Sequence, residues 1–178
     1  MSAKSKHFLR ELLSWGAYIV GGLLAALILS QTVLVNAEVT SGSMENTIMT
    51  NDRIAGLRVA YLFSEPKRLD IVVFENPITK GDTPFVKRII GLPGETVSFR
   101  DNQVYINDEL LPLDEPYLAE LMVMADCSYE VPEGCYFMLG DNRNKSTDSR
   151  YLTNGYIPRE DIIGKVYFSW FPHFRVLQ

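Results

Sequence analysis

The run Thr40-Ser41-Gly42-Ser43-Met44-Glu45-Asn46-Thr47-Ile48 is rich in hydroxyls and begins a few residues after a long apolar segment. A serine hydroxyl attacks a carbonyl only when a base takes its proton, so the chain must bring a base to Ser43. The chain has two histidines, His7 ahead of the apolar segment and His173 in an aromatic run near the C-terminus. If the segment crosses a bilayer, His7 is on the wrong side and a Ser-His-Asp arrangement can be built only through His173. The better candidate is Lys87, within Phe85-Val86-Lys87-Arg88-Ile89-Ile90. A period of two puts Phe85 and Ile89 on its face. An ammonium there loses hydration and its pKa falls, which makes the neutral amine accessible. A pKa lower by about 2 costs folding roughly 2.7 kcal/mol, a cost without purpose unless the amine has a task. The alternative for this strand alone is a lysine whose stem lies along the sheet and whose head reaches water. Arg88 takes the opposite face beside Val86 and Ile90.

A third polar run, Gly140-Asp141-Asn142-Arg143-Asn144-Lys145-Ser146-Thr147-Asp148-Ser149-Arg150, follows the apolar stretch Tyr136 to Leu139. Taken alone it is an ordinary polar loop, although loops on a rigid scaffold are where sites are built. Neither the two distant histidines nor Cys127 and Cys135 have the spacing of a zinc site, and no metal or cofactor is expected. The net charge of -5 gives no electrostatic case for nucleic acid. The two cysteines flank the turn Val131-Pro132-Glu133-Gly134, which could bring them across a hairpin. A disulfide and a pair of buried thiols both remain open.

The elements that must position these runs are of two kinds. Between Glu11 and Glu38 there is no charge, and Trp15 to Val35 is almost wholly apolar or small. As a helix it is roughly 31 Å long, which matches a hydrocarbon core of about 30 Å. Lys4, Lys6 and Arg10 ahead of it place the N-terminus on the cytoplasmic side. The expected layout is a cytoplasmic N-terminus over residues 1–13, an anchor over 14–36 and an extracytoplasmic domain over 37–178. The competing reading is a cleavable signal peptide ending at Val35-Asn36-Ala37, but a signal core is usually only about 7 to 15 residues long. After Asn36, short stretches rich in β-branched and aromatic residues alternate with Gly, Pro, Asn and Asp turns. This predicts an all-β domain, with strands over Arg53–Val59, Asp70–Phe74, Phe85–Ile90, Thr96–Arg100, Gln103–Ile106, Tyr136–Leu139 and Lys165–Trp170. Asp101-Asn102, Asn107-Asp108 and Leu92-Pro93-Gly94-Glu95 supply turns, and the turn-dense region 98–134 is expected to be a small insert or flap.

Together the three runs are more specific than any one of them. Ser41-Gly42-Ser43-Met44, then Lys87-Arg88 leading into Ile90-Gly91-Leu92-Pro93-Gly94-Glu95, then Gly140-Asp141-Asn142-Arg143 continuing to Ser146, Asp148, Ser149 and Arg150, occur in that order after one apolar span. That order resembles type I signal peptidases, membrane-bound serine/lysine proteases that remove signal peptides from secretory preproteins. The compact single-span layout is similar to their Gram-positive form. The resemblance implies an antiparallel β-sheet catalytic domain with a face against membrane lipid. It implies Ser43 as nucleophile, Lys87 as general base, and the Ser41 side chain with the Ser43 amide as oxyanion hole. It further implies Ser146 as the hydroxyl that orients the amine, Met44 packed beside the substrate, and Arg88, Asp141, Asp148 and Arg150 paired to hold the walls. Three positions depart from the family pattern: Asn46 where proline is usual, Leu69 where glycine is common, and Cys135.

Ser43 is eight residues beyond Val35, a reach of at most about 26 to 29 Å, so the nucleophile is expected to work close to the outer membrane surface. The resemblance adds a preference for small residues at the first and third positions before the cut. A self-cleaving serine/lysine protease of the repressor type needs no span, and a tethered binding module needs neither Ser43 nor Lys87.

Overall fold

The computed structural model describes residues 3–79, 81, 83–152 and 154–177. The chain divides into two units, residues 1–34 and 35–178.

The first unit is one helix, α1, Ala3–Thr32. Its Leu13–Thr32 stretch has a mean hydropathy of 1.8 and is long and apolar enough to cross a membrane, with none of it buried by protein. A helix apolar on all sides is stable in hydrocarbon or in a core rather than in water. The sequence carried the apolar segment to Val35 and the anchor to residue 36. The helix instead ends at Thr32, and β1, Leu34–Glu38, begins two residues later. Val35 is only 4% exposed, within the core of the second unit. Its apolar side chain therefore serves the β-domain core, a choice that hydropathy alone cannot make.

The second unit is antiparallel β, as expected. Its strands after β1 are β2 Arg53–Leu57, β3 Ile71–Phe74, β4 Phe85–Gly91, β5 Thr96–Arg100, β6 Gln103–Ile106, β7 Cys127–Glu130, β8 Cys135–Leu139, β9 Ile157–Pro158, β10 Ile162–Phe171 and β11 Arg175–Val176. The larger sheet runs β1-β2-β10-β3-β4-β8-β9 with β11 on β10, and the smaller runs β6-β5-β7. All seven expected strands form. Four others that were not expected, β1, β7, β9 and β11, have two to five residues each.

Turn chemistry sets the register of the small sheet. Asp101 and Asn102 both have left-handed backbones, φ 51° and 63°, which a two-residue hairpin with the right twist requires and which Asp and Asn tolerate. Arg100 and Gln103 are thereby paired. The 98–134 region, expected as a small insert or flap, carries most of the smaller sheet and packs on the larger one. Val97, Phe99 and Val104 share a core with Ile90, Phe137 and Leu139 of the larger sheet. The turn between Cys127 and Cys135 does not close a hairpin either: β7 pairs with β5, while β8 pairs with β4 and β9. The turn passes the chain from one sheet to the other, and both thiols are free.

A second core cluster, with Val35, Val39, Met44, Ile48, Ile54 and Val166 among its members, underlies the serine-rich run. The long strand β10 is bound to β2 so closely that a Cβ on Gly56 would lie 2.0 Å from the Lys165 carbonyl oxygen. Only glycine permits that approach.

Candidate active site

Ser43 is the middle residue of a 3-10 turn, Gly42–Met44, entered from an extended Ser41 (φ -130°, ψ 152°). Glu45 N–H donates to Gly42 O at 3.1 Å, and Ile48 N–H donates to Met44 O at 2.8 Å. Met44 and Ile48 are 1% and 0% exposed, so burial of these two apolar side chains pins the turn to the core. Asn46 has φ 84°. Proline is locked near -65° and cannot take that backbone, whereas asparagine is among the residues that can. The departure from the family pattern at position 46 is therefore a different turn rather than a looser version of the same one.

Strand β4 supplies the amine. Lys87 lies opposite Val72 of β3, and its Nζ donates to Ser43 Oγ at 2.6 Å and to Val86 O at 3.2 Å. The residue is 4% exposed, and the Phe85 ring centroid is 5.3 Å from the nitrogen. Burial pulls the Lys87 pKa down from 10.5 to about 8, against the opposing pull of Asp148 and Asp141. An amine with that pKa is partly neutral near pH 7 to 8 and can accept a proton. Ser41 Oγ is 3.3 Å from Ser43 Oγ. A cavity of about 340 Å3 opens here, with Ala37, Ser41, Ser43, Met44, Phe85 and Lys87 among its lining residues.

The loop after β8 closes the back of the site. A Cβ on Gly140 would lie 2.2 Å from Ser146 Oγ and 2.4 Å from Ser43 O, so the loop reaches the serine turn only because residue 140 has no side chain. Asn142 grips that turn twice: its N–H donates to Ser43 O at 3.1 Å and its Nδ2 to Gly42 O at 2.9 Å. Ser146 is buried, and its Oγ has no hydrogen-bond partner among the described residues. The hydrogen bonds described for Lys87 Nζ go to Ser43 Oγ and Val86 O.

The charged residues singled out in the sequence form two buried pairs. Arg88 donates from Nε and Nη2 to the two Asp141 carboxylate oxygens at 2.9 and 2.7 Å, and from Nη1 to Leu69 O at 2.9 Å. Leu69 has φ 71°, a left-handed backbone that glycine takes without strain, which accounts for the glycine usual at this place. Arg150 forks onto Asp148 at 2.8 Å from both Nε and Nη2, and Asp148 accepts Gly140 N–H at 3.0 Å.

All nine candidate residues thus surround one site or hold the loop that closes it. Sequence reasoning assigned no role to Asn142, Thr47, Arg143, Glu115 or Tyr117. Thr47 donates to Asp141 Oδ2 at 2.5 Å, and Glu115 accepts from Arg143. Asn142 and Arg143 could have been found from their place inside the third block. Nothing in the sequence marks Glu115 or Tyr117. His173 is exposed and is not among the residues lining the cavity.

Known proteins resemble the chain over most of its length. The family described as signal peptidase, peptidase S26, matches residues 12–171. A probable signal peptidase I-2 of Synechocystis is 36% identical over 169 residues, covering 92% of this chain and 75% of that one. A signal peptidase I of Bacillus licheniformis is 32% identical over 179 residues, covering 95% and 94% of the two chains. The crystal structure of a signal peptidase I from Enterococcus faecalis superposes with a TM-score of 0.50 at 38% identity, covering 57% of this chain and 97% of that one. With a serine turn, a dry lysine and a loop that joins them, matched along nearly its whole length, the chain belongs to the signal peptidase family, peptidase S26.

Proposed function

We propose that Ser43 and Lys87 carry out the signal peptidase reaction of this chain, cutting signal peptides from secretory preproteins at the outer face of the cytoplasmic membrane. The observation that carries this reading is the 2.6 Å contact between Lys87 Nζ and Ser43 Oγ in a site where the lysine is 4% exposed. In the neutral form the amine accepts the Ser43 proton as Oγ bonds to the scissile carbonyl carbon. The carbonyl oxygen becomes an anion, held by the Ser43 N–H and the Ser41 hydroxyl. One such donor contributes about 2.7 to 4 kcal/mol to lowering the barrier. Collapse of this intermediate breaks the C–N bond, and the ammonium of Lys87 gives its proton to the leaving amine. Water then attacks the ester with Lys87 as base again, which releases the signal peptide and restores the serine.

The surrounding residues have supporting roles. Met44 and Phe85 wall the cavity against water. The pairs Arg88–Asp141 and Asp148–Arg150 fix the 140–150 loop. Ser146, buried without a partner, offers the protonated amine an acceptor once the Ser43 oxygen is esterified. Leu13–Thr32 is the retained anchor in membrane lipid, with the N-terminus cytoplasmic and residues after 37 extracytoplasmic. The test is incubation of a labelled preprotein with the full chain in detergent: wild type cuts it, and Ser43→Ala does not while unfolding like wild type. Turnover by a folded Ser43→Ala enzyme would remove Ser43 from the mechanism.

A further inference from the structure

Residues 107–126, which join β6 to β7, lie outside the three sequence blocks, yet side chains of Glu115, Tyr117 and Glu120 reach the loop that closes the site. Glu115 accepts from both terminal nitrogens of Arg143, one at 2.9 Å. Tyr117 donates to Glu115 Oε1 at 2.6 Å and lays its ring 3.9 Å from the Arg88 guanidinium carbon. The Arg143 and Glu115 side chains are 1% and 7% exposed.

We propose that Glu115 and Tyr117 are positioning residues for the Ser43–Lys87 pair, acting through Arg143 and Arg88 to hold the 140–150 loop against the serine turn. The proposal rests on Ser43 and Lys87 being the reacting pair. Two contact paths carry it. Along the first, the Tyr117 ring covers one face of the Arg88 guanidinium and fixes its plane. That plane sets the Asp141 carboxylate, and Asp141 accepts from Thr47, four residues beyond Ser43. Along the second, the Glu115 fork orients Arg143, whose Nε donates to Gly140 O at 3.1 Å. Asn142, between Gly140 and Arg143, grips Gly42 O and Ser43 O. A buried ion pair is weak as a source of net stability, because desolvation offsets attraction. Its geometric demand is strong, since a bidentate fork is satisfied in one arrangement only. A misplacement of about 1 Å at reacting atoms costs on the order of 10²-fold in rate, so slackening either path is felt at the 2.6 Å contact.

The experiment uses the full chain in detergent with a labelled preprotein. It reads kcat and KM per folded molecule, with the folded fraction taken from the unfolding transition. Tyr117→Leu and Glu115→Gln are each expected to lower kcat at least about tenfold while KM stays within about twofold, the pattern of a lost transition-state arrangement rather than lost binding. Tyr117→Phe keeps the ring on Arg88 and should recover most of the loss seen with leucine. Unchanged kcat per folded molecule in either variant, a change confined to KM, or a phenylalanine variant as poor as the leucine one overturns the proposal. Should Tyr117→Leu fail to fold, Glu115→Gln is set against Glu115→Asp, and an aspartate variant no better than glutamine is the overturning result. Ser43→Ala and Lys87→Ala serve as controls. Turnover in either removes the reacting pair itself, whereas dead controls beside a fully active Tyr117→Leu remove only the positioning role.

Discussion

Burial of the Lys87 ammonium works against folding. Its pKa is about 8 in the folded protein against 10.5 ordinarily, so between those values the unfolded chain binds more protons than the folded one. Folding stability therefore rises with pH across that window. Below pH 8 the full penalty applies, about 3 kcal/mol if each pH unit between the two values counts for about 1.4 kcal/mol; above 10.5 it is gone. Lys87→Met is expected to be inactive yet more stable than wild type at pH 7 by about 1 to 3 kcal/mol. In urea unfolding the advantage should shrink as pH rises from 8 to 10.5. The proposed mechanism needs the neutral amine, so it expects kcat/KM to climb with pH through about 8, and a limb centred near 6.5 would instead implicate a histidine. Lys87→Arg should be as inactive as Lys87→Ala, since a guanidinium keeps its proton. Asn46 gives a different kind of prediction. At φ 84° it tolerates glycine, but Asn46→Pro forces the turn beside Ser43 into another backbone and should cost at least about 2 kcal/mol along with most activity. The candidate pair was legible from the order of the three motif blocks and the family they resemble, since among twelve serines and seven lysines neither residue stands out by type alone. The φ at Asn46 was not legible, because asparagine adopts either hand and its neighbours decide.

At the level of elements, the site depends on three pieces meeting: the serine turn, β4 and the 140–150 loop. Gly140 is where turn and loop touch, and a Cβ there meets the Ser43 backbone oxygen at 2.4 Å. Gly140→Ala is therefore expected to push the loop off the turn and to lower kcat by about 10²-fold or more, with a smaller loss in unfolding temperature than a core truncation would give. The β-period along Phe85–Ile90 predicted β4 and the apolar face of Lys87, and Asp101-Asn102 predicted the hairpin that follows β5. What the pattern could not predict was pairing. Val131-Pro132-Glu133-Gly134 has the composition of a hairpin turn, but its flanking strands join different sheets, because the preference of β7 for β5 and of β8 for β4 arises from contacts distant in sequence.

For the whole molecule, the division at residue 34 separates a helix without a core from a domain with one. Residues 35–178 contain the cavity and all of its lining side chains. A fragment of these residues is expected to unfold cooperatively and to cut a short soluble peptide. On full preproteins in vesicles it should fall behind the anchored chain by an order of magnitude or more, since tethering raises effective concentration. Equal rates for both forms on vesicles would show that the anchor contributes nothing to catalysis. A fragment that begins at residue 38 would lack Val35 and should be less stable by about 1.5 to 3 kcal/mol, the contribution of one buried aliphatic side chain.

By itself the sequence pointed, through its three motif blocks, to Ser43 and Lys87 as the candidate pair, and it determined that an apolar helix precedes an antiparallel domain. Those properties are local: a hydroxyl in a short polar run, a lysine on an apolar strand face, a period of two, and a charge-free stretch of membrane length. Only the tertiary structure decided what holds the amine and the hydroxyl 2.6 Å apart, that Ser146 Oγ has no partner among the described residues while Lys87 Nζ donates to Val86 O, and that Glu115 and Tyr117 reach the site from a distant connection. These outcomes depend on packing between segments far apart in the chain, where the identity of a residue says what it can bond to but not what will be beside it.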